Sequence, residues 1–284
     1  MHCTDDFIRA CRDLARDYEV GLQMHLGESK LQAVAGLKRY GKTLTAHLDD
    51  LEFLGPNFTG AHCIWLDDDD VQRMADRGAN VAHNPGSNLR LGNGVAPARR
   101  MLDAGVTVGI GTDGSSSGDH QNMVEAMRMA AFASRLQDIE PDSWLGSWDV
   151  LRAGTLGGAA LLGMAGRVGR IAPGYKADIA FVDLTNVAFV PLNAAANQIV
   201  NCADGSAIDS VMIGGRMVLQ DRRFTSLDFE GLRRDAQTMA DALRARNADT
   251  RGRMEAMAEY VSHHCVGLAC DGYHAHRRID AGRA

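Results

Sequence analysis

The sequence predicts an α/β chain built on parallel strands whose ends meet at one site, and three observations carry that reading. A short β-branched run, Val106-Thr-Val-Gly-Ile-Gly-Thr-Asp113, stops on a single carboxylate and gives way to Gly114-Ser-Ser-Ser-Gly118. Buried parallel strands read as continuous apolar runs, and in a (β/α) barrel the chemistry lies at their C-terminal ends. Three earlier runs close in the same manner on histidines: Val20 to His25, Phe58 to His62 and Asn80 to His83. The four terminal polar residues stand 37, 21 and 30 positions apart, each gap long enough for one helix and two loops, which is the rhythm of βα units. Read singly, Asp113 is as well explained as a helix cap or the start of a turn, and each histidine as an ordinary core or surface residue. Four of them in consecutive units converge if the sheet closes into a barrel, and convergence is what a metal site requires.

Taken in order, the chain opens on Thr4-Asp5-Asp6 followed by Phe7, Ile8, Cys11, Leu14 and Ala15. That pattern is an N-cap, acids in the first turn and an apolar helical stripe. After His25, Gly27 gives the backbone freedom to turn Glu28 toward the same site. Residues 30–54 predict one or two short helices broken at Gly41, with His47 an ordinary helix-face histidine. Asp67 to Asp70 suits a helix N-terminus and Gly78 its C′ position. The stretch from His83 to Gly94, dense in Gly and Asn, predicts a long polar loop able to meet a substrate, with Asn84 and Asn88 as its expected contacts and Trp65 as a third. A helix over 96–104 leads to the strand ending at Asp113.

Residues 121–139 predict a Met- and Ala-rich packing helix, and Trp148 to Leu162 another. The pattern then changes: residues 168–183 and 210–219 are short β-branched runs around glycine turns, which predicts a small β-rich appendage. A last helix is expected over about 228–259. The expected divisions are 1–165 for the barrel part, 166–225 for the β-rich part and 226–284 for the C-terminal helix and tail. The tail residues His263, His264, Cys265, Cys270, His274 and His276 have spacings that fit no standard zinc pattern.

At 284 residues with 45% hydrophobic content the chain can bury a large core. No apolar run approaches the 18 or more residues needed to span a bilayer, and the N-terminus lacks a signal-like pattern, so a cytoplasmic protein without a membrane partner is expected. Six scattered cysteines read as reduced thiols, and a net charge of -6 offers no basic face for nucleic acid.

Met24-His25-Leu-Gly-Glu28, Ala61-His62-Cys63, the run from His83 to Gly94, Gly111-Thr-Asp113-Gly and the Pro173-Gly-x-x-Ala-Asp178 turn occur in that order. Together they resemble the amidohydrolase superfamily, in its branch of deaminases and chlorohydrolases of aminated heterocycles such as S-adenosylhomocysteine, guanine, 8-oxoguanine and triazine enzymes. The resemblance implies a (β/α)8 TIM-type barrel and one divalent metal, zinc foremost and iron as the alternative. It makes His25 and Asp113 metal ligands, Glu28 the proton-shuttling acid and His62 the histidine that steadies the attacked group, with a ligand role for His62 left open. The family's metal is also held by a His-x-His pair on the first of four strands that would precede this segment; no strand near the start carries such a pair, and His274-Ala-His276 lies in the irregular polar tail at the other end. The resemblance therefore implies the C-terminal part of a longer enzyme, a homodimer when full length, and as given an open barrel that holds metal weakly.

The implied reaction removes an amino group as ammonia from a purine, pyrimidine, pterin or triazine ring. The ion lowers the pKa of bound water toward about 7, Asp113 accepts its proton, Glu28 protonates the ring nitrogen and then the leaving amine, and His62 hydrogen-bonds the nascent oxygen. Two alternatives stand beside it: hydrolytic dechlorination of a triazine-like ring, and a non-catalytic homologue.

Overall fold

A computed structural model describes residues 3–269 and 272–277, with the backbone alone for 262–269. The first half alternates strand and helix: α1 (Asp5–Asp17), β1 (Leu22–Leu26), α2 (Lys30–Tyr40), α3 (Leu44–Asp50), β2 (Phe58–His62), α4 (Asp68–Asp76), β3 (Asn80–His83), α5 (Pro85–Arg90), α6 (Ala98–Asp103) and β4 (Thr107–Ile110). Thr4, Ser29, Thr43 and Asp67 each accept a backbone N–H of the turn they open, so α1, α2, α3 and α4 start where their caps dictate.

The four strands pair in parallel in the order β1-β2-β3-β4. Leu22 stands beside Phe58, Gly60 beside Val81 and Val81 beside Val108, so a period of two sends Leu26, Phe58, Val81 and Val108 to one face. There they pack on Leu48 and Leu51 of the α3 region, Val71 and Met74 of α4 and Met101 of α6. Phe58 and Val81 are fully buried, each worth about 2 kcal/mol or more of apolar burial. The opposite face carries Gln23, His25, Thr59 and Ala61, and its C-terminal edge is where the site forms.

Beyond β4 come α7 (Ser115–Gly118), α8 (Met123–Ser134), α9 (Ser147–Arg152), a single π-helical turn over Ala153–Gly157 and α10 (Gly158–Leu161). This last helical run lies backbone to backbone on β4: a Cβ on Gly157 would fall 2.1 Å from the Val108 carbonyl oxygen. A second core joins Ile110 to Ala126, Met127 and Ala130 of α8, Val150 of α9 and Val200 of α11 (Ala195–Asn201).

Strands β5 (Ile179–Val182), β6 (Ile208–Ile213), β7 (Arg216–Gln220) and β8 (Arg223–Phe224) form a separate antiparallel sheet in that order. All four strands fall between residues 179 and 224. The chain continues in α12 (Phe229–Arg246) and α13 (Ala248–Ala269).

Three expectations are corrected, and one tail histidine is placed. The strand leading to Asp113 stops at Ile110, with Gly111 N–H donating to the His83 carbonyl at 2.9 Å just beyond it, and Asp113 lies in the following loop. The stretch 83–94 is not one loop, because Pro85 starts the short helix α5 at the position where a missing N–H costs nothing. The long C-terminal helix is two helices: Asn247 ends α12, and its carbonyl accepts the Arg251 N–H to begin α13. His274 pairs with Asp67 at 2.6 Å, while Cys270 and the side chains of His263, His264 and Cys265 lie outside the described residues.

Candidate metal centre

The site depends on a break in strand periodicity. His62 stands beside Leu26 in the parallel register, so a regular strand would send its ring to the core face with Phe58 and Gly60. Instead His62 and Cys63 both adopt left-handed backbone, φ 69° and 50°. Cys63 takes the core side, fully buried, with its sulfur 2.6 Å from where a Cβ on Gly60 would lie. Burial pushes its thiol far above the ordinary range, so it is an inert packing group. The His62 ring is freed to stack on His25 of β1, centroids 5.1 Å apart at 26°.

His62 is 0% exposed. Its Nδ1 lies 2.8 Å from Asn88 Oδ1, so that Nδ1 donates to the amide and Nε2 faces the site. Among the described residues, none hydrogen-bonds that buried Nε2. Glu28 Oε1 stands 4.0 Å and Asp113 Oδ2 3.8 Å from it. One donor atom each from His25, Glu28 and His62 lie within 4.8 Å of one another.

Glu28 follows Gly27, which has φ 57°, and is held from two sides. Its N–H donates to Gln32 Oε1 at 3.0 Å, and its Oε1 accepts from Asn93 Nδ2 at 3.2 Å. Asp113 is also left-handed, φ 60°, and its Oδ1 accepts the Gly114 N–H at 2.7 Å. Burial pushes the Asp113 carboxyl up, but the facing Ser87 hydroxyl, the Gly114 N–H and the His62 and His25 rings together outweigh it. The net result lies below the usual carboxylate range.

The structure thus gathers His25, Glu28, His62 and Asp113, with Asp113 reaching the cluster through His62. His83 does not join the donor set: it is buried, and burial together with the neighbouring His62 holds its pKa down at about 4. The three residues expected to touch substrate, Asn84, Asn88 and Trp65, are likewise buried, and each makes a bond within the protein. Asn88 holds His62; Asn84 Nδ2 donates to the Ala82 carbonyl at 3.3 Å; Trp65 Nε1 donates to the Asn93 carbonyl at 2.8 Å. Ser87 and Asn93 were not singled out from the sequence, although both lie in the polar stretch after His83. Neither carries a pattern that separates it from the other small polar residues there.

Residues 1–218 match the amidohydrolase family model. The chain belongs to the amidohydrolase family. This amidohydrolase chain is 36% identical over 244 residues to the 5′-deoxyadenosine deaminase of Methanosarcina mazei, covering 86% of this chain and 56% of that protein. It superimposes on a zinc-bound adenosine deaminase of Xanthomonas campestris with a TM-score of 0.83 and 30% identity, covering 85% of this chain and 55% of that one. A zinc complex of an atrazine chlorohydrolase of Arthrobacter aurescens gives 0.78 and 33%, over 84% and 52%. The chain thus spans about half the length of the relatives it matches. Among the described residues, no helix is long and apolar enough to cross a membrane.

Proposed function

We propose that this chain carries the acid–base half of a metal-dependent deaminase, acting on an adenine-type heterocycle of nucleoside size. The observation that carries the reading is the buried, unpartnered His62 Nε2, flanked by the Glu28 and Asp113 carboxylates beside His25. Two imidazole nitrogens with carboxylate oxygens are a donor set that suits one divalent ion, zinc first. His25, His62 and Asp113 would hold it. When bound, such an ion activates a water as nucleophile near neutral pH.

The chain's own groups do the proton work. Asp113, kept ionised, accepts the proton of the attacking water. Glu28, aimed by Asn93 and protonated at the start, gives its proton to a ring nitrogen as water adds at the amine-bearing carbon; the proton that Asp113 took from the water then passes by way of Glu28 to the departing amine, and as the C–N bond breaks and ammonia leaves, the remaining hydroxyl proton restores Glu28. His62, with Nδ1 committed to Asn88, keeps Nε2 turned toward the place the ion would occupy. A carboxylic acid poised as Glu28 is poised favours deamination over dechlorination, because chloride leaves without a proton. The reading also places the site on residues 1–165 and the antiparallel sheet on 166–225 as a separate unit.

Zinc titration together with ammonia release from 5′-deoxyadenosine tests it. His25→Ala and Asp113→Ala are expected to lose metal, and Glu28→Gln to keep it. Unchanged zinc stoichiometry in both ligand variants would sink the assignment.

A further inference from the structure

Residues 273–277 lie far from the site in sequence but close over the two segments that support Glu28. Arg277 Nε donates to the Ile64 carbonyl at 2.9 Å and Nη2 to the Leu66 carbonyl at 2.5 Å, while the Arg277 carbonyl accepts the Val95 N–H at 2.8 Å. Tyr273 is buried edge-on against Trp65, ring centroids 6.0 Å apart at 72°, and its hydroxyl donates to the Trp65 carbonyl at 3.1 Å. The segment therefore ties 64–66 to 95 in one forked contact.

Both tied segments lead to Glu28. The N–H groups of Ile64 and Trp65 donate to the Gly27 carbonyl at 3.1 and 2.9 Å, next to Glu28 in the chain. Trp65 Nε1 holds the Asn93 carbonyl, and Asn93 Nδ2 holds Glu28 Oε1. Gly94, between Asn93 and Val95, has φ 123°, and a Cβ there would come within 2.5 Å of the Arg277 carbonyl oxygen. Only glycine lets the two strands of this contact close.

We propose that residues 273–277 form a clamp that sets the position of the Glu28 carboxylate through Trp65 and Asn93, with Arg277 as its main positioning residue. The catalytic consequence rests on the reading of Glu28 as the proton carrier; the clamp itself does not. A guanidinium suits the task because its rigid planar fork holds two N–H donors in fixed directions toward two carbonyls, a geometry the single nitrogen of an ammonium does not impose.

Carboxyl footprinting of the 284-residue protein reads the clamp without turnover. Glycine ethyl ester coupled by carbodiimide reports the accessibility of Glu28, and hydrogen exchange reports the amides of the 91–97 segment up to Ala96, Pro97 having none. Arg277→Ala and Gly94→Ala are each expected to raise Glu28 labelling and 91–97 exchange about fivefold. Asp103, held by Arg99 at a distance from the clamp, should be unchanged, and Arg277→Lys should give a partial effect. Unchanged Glu28 labelling in both Arg277→Ala and Gly94→Ala, with Asp103 as the folded control, would overturn the proposal. Where turnover is measured, the clamp variants should lower kcat and leave KM alone. A wild-type chain inert toward 5′-deoxyadenosine would count against the deaminase reading and not against the clamp.

Discussion

Asn88 holds His62 through a 2.8 Å hydrogen bond from Nδ1 to its amide oxygen, and that contact decides which imidazole nitrogen faces the site. Both side chains are buried, at 1% and 0% exposure, so neither has water to fall back on. Removing the acceptor frees the ring to rotate and lets the proton move to Nε2. Asn88→Ala is expected to weaken zinc binding or activity about 10- to 100-fold, the usual cost of losing an outer partner of a metal-site histidine. Zinc titration of the variant checks this, and an unchanged affinity would mean that the ring is oriented by its stacking on His25 alone.

Glu28→Gln keeps the size of the side chain and its capacity to accept from Asn93, but cannot carry a proton between water and amine. Ammonia release should fall by about 10²- to 10⁴-fold, with zinc content preserved. Elemental analysis beside the assay separates this outcome from a ligand role for Glu28, in which metal and turnover would fall together.

Asp70 offers a pH test of the scaffold remote from the chemistry. Burial pushes its carboxyl up to about 6, against the Thr43 hydroxyl that donates to it at 2.5 Å. The folded chain therefore binds this proton more tightly than the unfolded one. The contribution is complete below the ordinary value of about 3.8 and is lost as pH rises through about 6. Asp70→Asn should flatten this part of the curve and stabilise the protein at pH 7 by about 2 kcal/mol relative to its effect at pH 4. Urea midpoints of both proteins at the two pH values measure it; parallel curves would refute it.

Gly157→Ala should destabilise by about 1–3 kcal/mol, because its Cβ would fall 2.1 Å from the Val108 carbonyl of β4, and a backbone oxygen cannot move aside as a side chain can. Urea unfolding gives the value. Ala substitution at Gly163, where the added carbon meets nothing within 4 Å but φ is 65°, is the comparison that separates steric overlap from backbone strain.

Where local pattern governs, the sequence reading and the structure agree. The run from Phe58 to His62 is β2 and that from Asn80 to His83 is β3, residue for residue, because apolar stretches bounded by turn residues have one compact solution. The positions of His25, Glu28, His62 and Asp113 were legible for the same reason: each lies at or just past a strand end. What was not legible is which way they turn. Nothing in Ala61-His62-Cys63 marks two consecutive left-handed residues, neither of them glycine, yet without them His62 would lie in the core and Cys63 at the site. Asn88 and Trp65 were picked out by type, but their bonds to His62 and to the Asn93 carbonyl were not legible, since composition shows that a polar group must be satisfied and not by whom. The contacts of Tyr273 and Arg277 leave no periodic trace at all.

Tyr273 meets Trp65 across 208 positions of chain, whereas β1 to β4 and every donor residue fall within the span from Leu22 to Asp113. Closing so long a loop carries an entropic cost that neighbouring elements do not share. The rim around Glu28 should consequently be assembled after the sheet beneath it. During folding there is then an interval in which the imidazoles and carboxylates already face one another while the acid that must deliver protons is still free to swing.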